Sequence, residues 1–292
     1  MVHKAGFVNI IGNPNVGKST LMNVITKEKL SIITPKAQTT RHRILGIVNG
    51  DDFQIIYSDT PGILKPFYLL HKSMMNFVNV AISDADVILY MTDIFEKEID
   101  TEILNRLNKA AVPKFFIINK IDLLKKETLE EKIKFWEGKI ENAEMLPVSA
   151  IKEINTDNLI EKIISKLPEH PPYFPKDELT DKPTKFFVSE IIREKIFYNY
   201  QKEIPYSCEV VIDEFKEKST LTKIRAIILI ERDSQKGIII GHKGEALKKI
   251  GIEARKDIED FIGRHVFLEL FVKVSKDWRS DKNKLERFGY NI

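Results

Sequence analysis

An α/β domain built on a mostly parallel sheet, followed by a smaller α+β domain, is the architecture that three features of this sequence predict. Short apolar runs alternate with helical periodicity through the first half, a proline-rich stretch then interrupts the chain, and beyond it the order of patterns changes. At 292 residues the chain is long for one compact domain, so two are expected. The boundaries read as a first domain over 1–167, a linker over 168–183 and a second domain over 184–292.

In the first domain, Phe7–Ile11, Phe53–Tyr57, Val87–Met91 and Phe115–Ile118 are short, apolar and rich in β-branched residues, as buried parallel strands are. Helical stretches separate most of them, which is the signature of βαβ units with helices on both faces of the sheet. Ile44–Val48 leads into Asn49-Gly50-Asp51 before Phe53, a hairpin signal that predicts one antiparallel strand pair. From Leu167 to Pro183 there are five prolines in 17 residues, which no helix or central strand accommodates. A helix over 184–198, strands over 208–215 and 223–231, a helix over 245–262, a strand over 266–274 and a charged terminal helix follow.

The chemistry begins with Gly12-Asn-Pro-Asn-Val-Gly-Lys-Ser19, which follows a strand and opens a helix. G-x-x-x-x-G-K-[ST] in that context is a P-loop: glycines let backbone N–H groups close around phosphate oxygens, and the helix N-terminus adds a favourable dipole. Gly12, Asn13, Asn15, Val16, Gly17, Lys18, Ser19 and Thr20 form the expected phosphate cradle. Lys18 reaches the β/γ-phosphates and the Ser19 hydroxyl binds Mg²⁺. Asp59-Thr-Pro-Gly62 also follows a strand, so Asp59 can serve the metal and the Gly62 N–H the γ-phosphate. Asn119-Lys-Ile-Asp122 follows another strand. Its Asp122 carboxylate can accept from guanine N1–H and the 2-amino group, a donor pair adenine lacks, which selects GTP and disfavours an ATP-dependent kinase. Ser149-Ala150 stands where a backbone contact to the base is needed. Between the P-loop and Asp59 a switch loop needs a Thr for the Mg²⁺ shell, and of Thr39 and Thr40 the reading prefers Thr40. The metal ligands are thus Ser19, Thr40 and Asp59, and the catalytic residues Lys18, Thr40 and Asn15.

These five elements together resemble the translation-factor-related GTPases. Position 63 holds Ile where signalling GTPases carry a water-orienting Gln, so intrinsic hydrolysis is expected to be slow. In similar GTPases an Asn at the place of Asn15 accompanies a potassium ion near the β/γ bridge. That ion is expected here also, and equal turnover in KCl and NaCl would exclude it.

In the second domain, Gly241-His-Lys-Gly244 opens a helix after Ile238-Ile-Ile240. G-x-x-G with basic central residues, in an αββααβ order, resembles the loop by which type II KH domains clamp single-stranded nucleic acid. Ile240, Gly241, His242, Lys243, Gly244 and Lys248 are the expected RNA contacts, while Leu247, Ile250, Ala254, Ile258 and Phe261 form the core face of the helix. The aromatic and basic residues after Val274 suit either RNA contact or a capping helix. From Leu221 onward 16 Lys/Arg face 11 Asp/Glu, although the whole chain is only +3, so the basic surplus permits a polyanionic partner at that end. Cys208 is alone, excludes an internal disulfide, and reads as a small buried hydrophobe. No signal peptide or membrane span is evident, and a cytoplasmic location is expected.

A GTPase domain, proline-rich linker and KH-like domain together resemble the Era family of bacterial ribosome-assembly GTPases over essentially the whole chain. Lys36-Ala-Gln-Thr-Thr-Arg-His-Arg-Ile44, Asp59-Thr-Pro-Gly-Ile63 and Gly241-His-Lys-Gly244 each stand as in that family. The resemblance implies GTP and GDP as ligands with Mg²⁺, binding to the 3′ end of small-subunit (16S) ribosomal RNA and the 30S subunit, and a role in 30S maturation. It also implies a monomer with peripheral association at the cytoplasmic face of the inner membrane. The competing reading is a GTP-regulated interaction protein whose second domain binds a protein or a membrane surface.

Overall fold

The computed structural model describes residues 2–291 and divides into two compact units. The first unit carries a six-stranded sheet. Its strands are β1 (Lys4–Ile11), β2 (Ile44–Asn49), β3 (Phe53–Asp59), β4 (Val87–Asp93), β5 (Lys114–Asn119) and β6 (Ala143–Pro147), in the order β2-β3-β1-β4-β5-β6. Only β2 and β3 pair antiparallel, through the expected Asn49-Gly50 hairpin. The helices are α1 (Lys18–Thr26), α2 (Leu69–Ser83), α3 (Thr101–Lys109), α4 (Lys126–Trp136) and α5 (Thr156–Lys166).

The strands are apolar on both sides because both sides are covered. Ile11, Ile88, Tyr90, Phe116 and Ile118 pack with Val78 of α2, Ile103 of α3 and Trp136 of α4, while α1 packs on β2 and β3. Parallel strands joined by helices bring every strand's carboxyl end to one edge, and ligands bind there in open α/β sheets. Gly12, Asp59, Asp93, Asn119 and Ser149 all lie at or just past those ends.

The proline-rich segment is ordered rather than a free spacer. Its residues through Asp181 belong to the first unit. Leu179 accepts from Ile47 N–H on edge strand β2 (2.9 Å), the Asp181 carboxylate accepts from Leu45 N–H (3.0 Å), and Gln54 bonds the main chain of Tyr173 and Phe174. Prolines interrupt any continuous ladder here, yet the Leu179 carbonyl and the Asp181 carboxylate take up N–H groups of the sheet's edge strand.

The second unit comprises the described residues from 182 onward together with two short segments from earlier in the chain, Ile32–Thr39 and Phe67–Lys72. Its elements are α6 (Thr184–Asn199), α7 (Ile204–Ser207), β7 (Glu209–Glu217), β8 (Leu221–Ile230), α8 (Asp233–Ile240), α9 (Glu245–Ile262), β9 (His265–Val274) and α10 (Lys282–Arg287). β8 runs antiparallel to β7 and parallel to β9. Strict alternation along β8 puts Ile224, Ala226, Ile228 and Ile230, all fully buried, against α6 and α9.

Cys208 is fully buried, as expected of a small hydrophobe. One reading needs correction. Phe261 is 39% exposed at the last turn of α9, where it packs against Phe187 instead of entering the core with Ile250, Ala254 and Ile258. Of the two readings of the C-terminal aromatics, the burial of Trp278 and Tyr290 fits the capping helix. Trp278 donates to the Ser207 carbonyl, and the Tyr290 hydroxyl bonds the Glu209 carboxylate.

Candidate nucleotide site and nucleic-acid groove

The P-loop connects β1 to α1. Lys18 is buried, and its ammonium donates to the carbonyls of Gly12 (2.9 Å) and Asn13 (2.7 Å). An ammonium has three donors, so one remains for a phosphate oxygen. Burial lowers the Lys18 pKa to about 8, against the opposing pull of Asp59 and Glu96. The loop is held from outside by Asn119, which donates to the Val16 carbonyl (2.8 Å) and accepts from the Ala150 N–H (3.0 Å). Gly17 has φ +106°, and a Cβ there would lie 2.2 Å from Asn119 Nδ2, so only glycine fits. Asn119 thus fastens the phosphate loop to the Ser149-Ala150 segment, and this chain uses it as a brace.

Lys120 takes a left-handed backbone (φ 66°) and bonds the Asn15 carbonyl (2.8 Å) and the Asp93 carboxylate (2.6 Å). Asn15 is exposed in the P-loop. The short 3₁₀ turn that follows carries Asp122, whose Oδ1 accepts from the buried Ser149 hydroxyl at 2.5 Å. That bond ties the Asp122 side chain to the Ser149-Ala150 segment.

Ser19, Thr40 and Asp59 converge. The Ser19 hydroxyl donates to Asp59 Oδ2 (2.6 Å) and lies 3.0 Å from the Thr40 hydroxyl, which is itself 3.3 Å from the same carboxylate oxygen. Thr39, by contrast, spends its hydroxyl on Thr34 and the Lys36 carbonyl. Asp59 Oδ1 is buried and accepts no hydrogen bond, and burial raises the Asp59 pKa despite Ser19 and Lys18. An orphaned carboxylate oxygen flanked by two hydroxyls, all hard oxygen donors, fits Mg²⁺. Gly62 is buried against Pro14, and Ile63 bonds the Gly12 carbonyl through its N–H (3.2 Å) while its side chain enters the core. No polar group at position 63 therefore reaches the site.

Sequence reasoning missed two residues here. Asp93 orients Lys120, and Glu96 accepts from the Asn13 side chain (2.8 Å), with its pKa raised mainly by burial. An acid ending strand β4, beside the other strand-end motifs, was the available signal for Asp93. Glu96 has no motif and becomes visible only when the fold places it.

In the second unit, Gly241 (φ 72°) and Gly244 (φ 82°) bound the loop, with His242 and Lys243 exposed between them. A Cβ on Gly241 would lie 2.6 Å from that of Ala246, so the tight entry into α9 requires glycine. Beyond the loop, Gly244, Lys248, Gly251, Ile252, Arg255 and Phe267 line a groove of about 410 Å³. Ile240 is half-buried in the last turn of α8 at the loop's entry. Ile252 and Phe267 are 53% and 50% exposed, so the groove offers apolar faces beside two cations. Arg255, Ile252 and Phe267 escaped the sequence reading because the groove joins α9 to β9, 12 residues from Arg255 to Phe267.

This geometry defines a class: a GTPase domain of the P-loop type joined to a KH domain. Family models agree, with "50S ribosome-binding GTPase" matching residues 7–120 and "KH domain" matching 203–279. GTPase Era from Geotalea daltonii is 48% identical over 289 residues, covering 98% of this chain and 97% of that one. GTPase Era from Staphylococcus epidermidis is 44% identical over 291 residues, covering 99% and 97%. The chain belongs to the GTPase Era family. Two solved structures match it with TM-scores of 0.92 over 99% of this chain and 100% of theirs. One, 39% identical, is Era in complex with MgGDPNP and nucleotides 1506–1542 of 16S ribosomal RNA, and the other, 40% identical, is an Aquifex aeolicus Era variant bound to GDP·AlF₄⁻. Among the described residues no helix is long and apolar enough to cross a membrane.

Proposed function

We propose that this GTPase binds the 3′ end of small-subunit ribosomal RNA in the cytoplasm and assists maturation of the 30S subunit, with its nucleotide state governing access of RNA. One observation carries the reading: a complete guanine-nucleotide site and a glycine-bounded, basic and apolar groove stand in the same chain. The relative that holds MgGDPNP and a 16S rRNA segment supports it at 39% identity across nearly the full length.

At the nucleotide site the residues divide the work. P-loop N–H groups and Lys18 hold the phosphates, Asp122 reads guanine, and Asn119 keeps loop and base segment in register. Ser19, Thr40 and Asp59 hold Mg²⁺, which when bound neutralises charge on the β/γ-phosphate oxygens. Ile63 packs inward and shields the site without orienting water, so intrinsic turnover is slow and RNA or another partner accelerates it. In the groove, Lys243, Lys248 and Arg255 meet phosphates while Ile252 and Phe267 meet bases.

The test is binding of a short RNA matching the 16S 3′ end, with GDP and with a non-hydrolysable GTP analogue, beside Gly244→Asp. Aspartate brings negative charge and a strained positive-φ backbone into the loop, so affinity should fall by about 10–100-fold. Tight binding with the analogue that weakens in the variant supports the reading. No binding in either state sinks it and directs attention to a protein or membrane partner.

A further inference from the structure

The loop that delivers Thr40 is built into the C-terminal unit. Residues 32–39 are held there by four side-chain anchors involving α6, one of them the Glu194 carboxylate, which accepts from Ile33 N–H (3.4 Å). The Tyr198 hydroxyl donates to the Ile33 carbonyl (2.8 Å). Lys36 donates to the carbonyls of Phe197 and Tyr200 at the end of α6, where helix carbonyls lack intrahelical donors and the dipole is negative. Arg193 donates through Nη2 to the Thr39 carbonyl (2.6 Å) and forks onto the Glu190 carboxylate through Nε (2.7 Å) and Nη2.

Arg193 is 1% exposed and Glu190 5%. A buried ion pair is a poor way to stabilise a helix, since desolvation offsets most of its attraction. Here Nη1 is buried without an acceptor as well, a further cost. What the arrangement secures is the position of one carbonyl, and the next residue after that carbonyl is Thr40. The Thr39 side chain is tied down by Thr34 and Lys36, so the peptide leading into Thr40 is constrained from both sides.

We infer that Arg193, oriented by Glu190, is a positioning residue for binding of the Mg²⁺–GTP form: by gripping the Thr39 carbonyl it sets the main chain that leads into Thr40, whose hydroxyl lies beside Ser19 and Asp59. The inference rests on the reading of Ser19, Thr40 and Asp59 as the Mg²⁺ shell.

The full-length protein tests it in a double-mutant cycle. Arg193→Gln is made alone and with Thr40→Ala, and Glu190→Gln/Arg193→Gln serves as a charge-balanced version that keeps α6 folded. Arg193→Lys retains a donor. Circular dichroism establishes folding, and affinities for GDP and a GTP analogue are measured across Mg²⁺ concentrations. Hydrogen exchange of residues 33–40 is followed without nucleotide. Expected for Arg193→Gln and the balanced pair is about a tenfold loss of analogue affinity, the size of one hydrogen bond to a charged group. A higher Mg²⁺ midpoint, unchanged GDP affinity and faster exchange in 33–40 should accompany it. Lysine should restore most of the loss. Adding Thr40→Ala should cost nothing beyond Thr40→Ala alone, because residues acting through one another are not additive. If Thr40→Ala impairs analogue binding while folded Arg193 variants bind normally, or if the losses add, the inference falls and the metal-shell reading stands. If Thr40→Ala itself changes neither affinity nor Mg²⁺ midpoint, both fall.

Discussion

Lys18 shows how a single buried charge couples ligand binding to protons. In the free protein its pKa is near 8 because burial disfavours the ammonium. A polyphosphate favours the charged form, so nucleotide binding raises that pKa again. Above pH 8 binding must therefore take up a proton, and affinity should fall by up to about tenfold per pH unit as pH rises. Titration calorimetry in two buffers of different ionisation enthalpy measures that uptake directly, and none at pH 9 would remove the effect. For the unliganded fold the sign is opposite. Between pH 8 and 10.5 the unfolded chain binds more protons at this group, so its contribution to stability improves with rising pH.

At the scale of elements, the site depends on loops braced across strand ends rather than on the helices. Asn119 at the end of β5 holds both the P-loop and Ala150, and Gly17 exists in its present backbone because Asn119 stands against it. Gly17→Ala should force the two apart. The backbone penalty alone is about 1–2 kcal/mol, and the displaced brace should add to it. Fluorescent-GDP binding should weaken by at least about tenfold, with far-ultraviolet circular dichroism unchanged. Unaltered binding would mean that Asn119 does not brace the loop. Secondary structure itself was legible at this scale: every strand expected in the first domain forms, because apolar runs buried on both faces leave little ambiguity. Phe261 misled because helical periodicity marks a face but not where the neighbouring sheet stops covering it.

For the whole molecule, each unit has its own core, so each should respond to its own perturbation. Ile258→Ala empties a fully buried place in the second unit, where large-to-small substitutions cost about 2–5 kcal/mol. Thermal unfolding should show a transition lowered by that change, while GDP should still raise the transition of the first unit. A single transition that moves as one with both would show that the units unfold together. The partition also changes how the chain divides. A proline-rich stretch reads as a boundary, yet residues through Asp181 are bonded into the first sheet, while 32–39 and 67–72 belong to the second unit.

What the sequence determined by itself was the local chemistry: a P-loop after a strand, D-x-x-G, N-K-x-D, and a G-x-x-G loop before a helix. Each is a short run whose backbone and donor requirements are satisfied by near neighbours. Tertiary structure alone decided which distant groups serve them. Asp93 and Glu96 reach the nucleotide site because β4 lies beside β1, and Arg255 and Phe267 share a groove because α9 packs on β9. Arg193 meets Thr39 across 154 residues. Such pairings leave no periodicity or spacing in the chain, since they arise only when folding has buried the surfaces that bring them together.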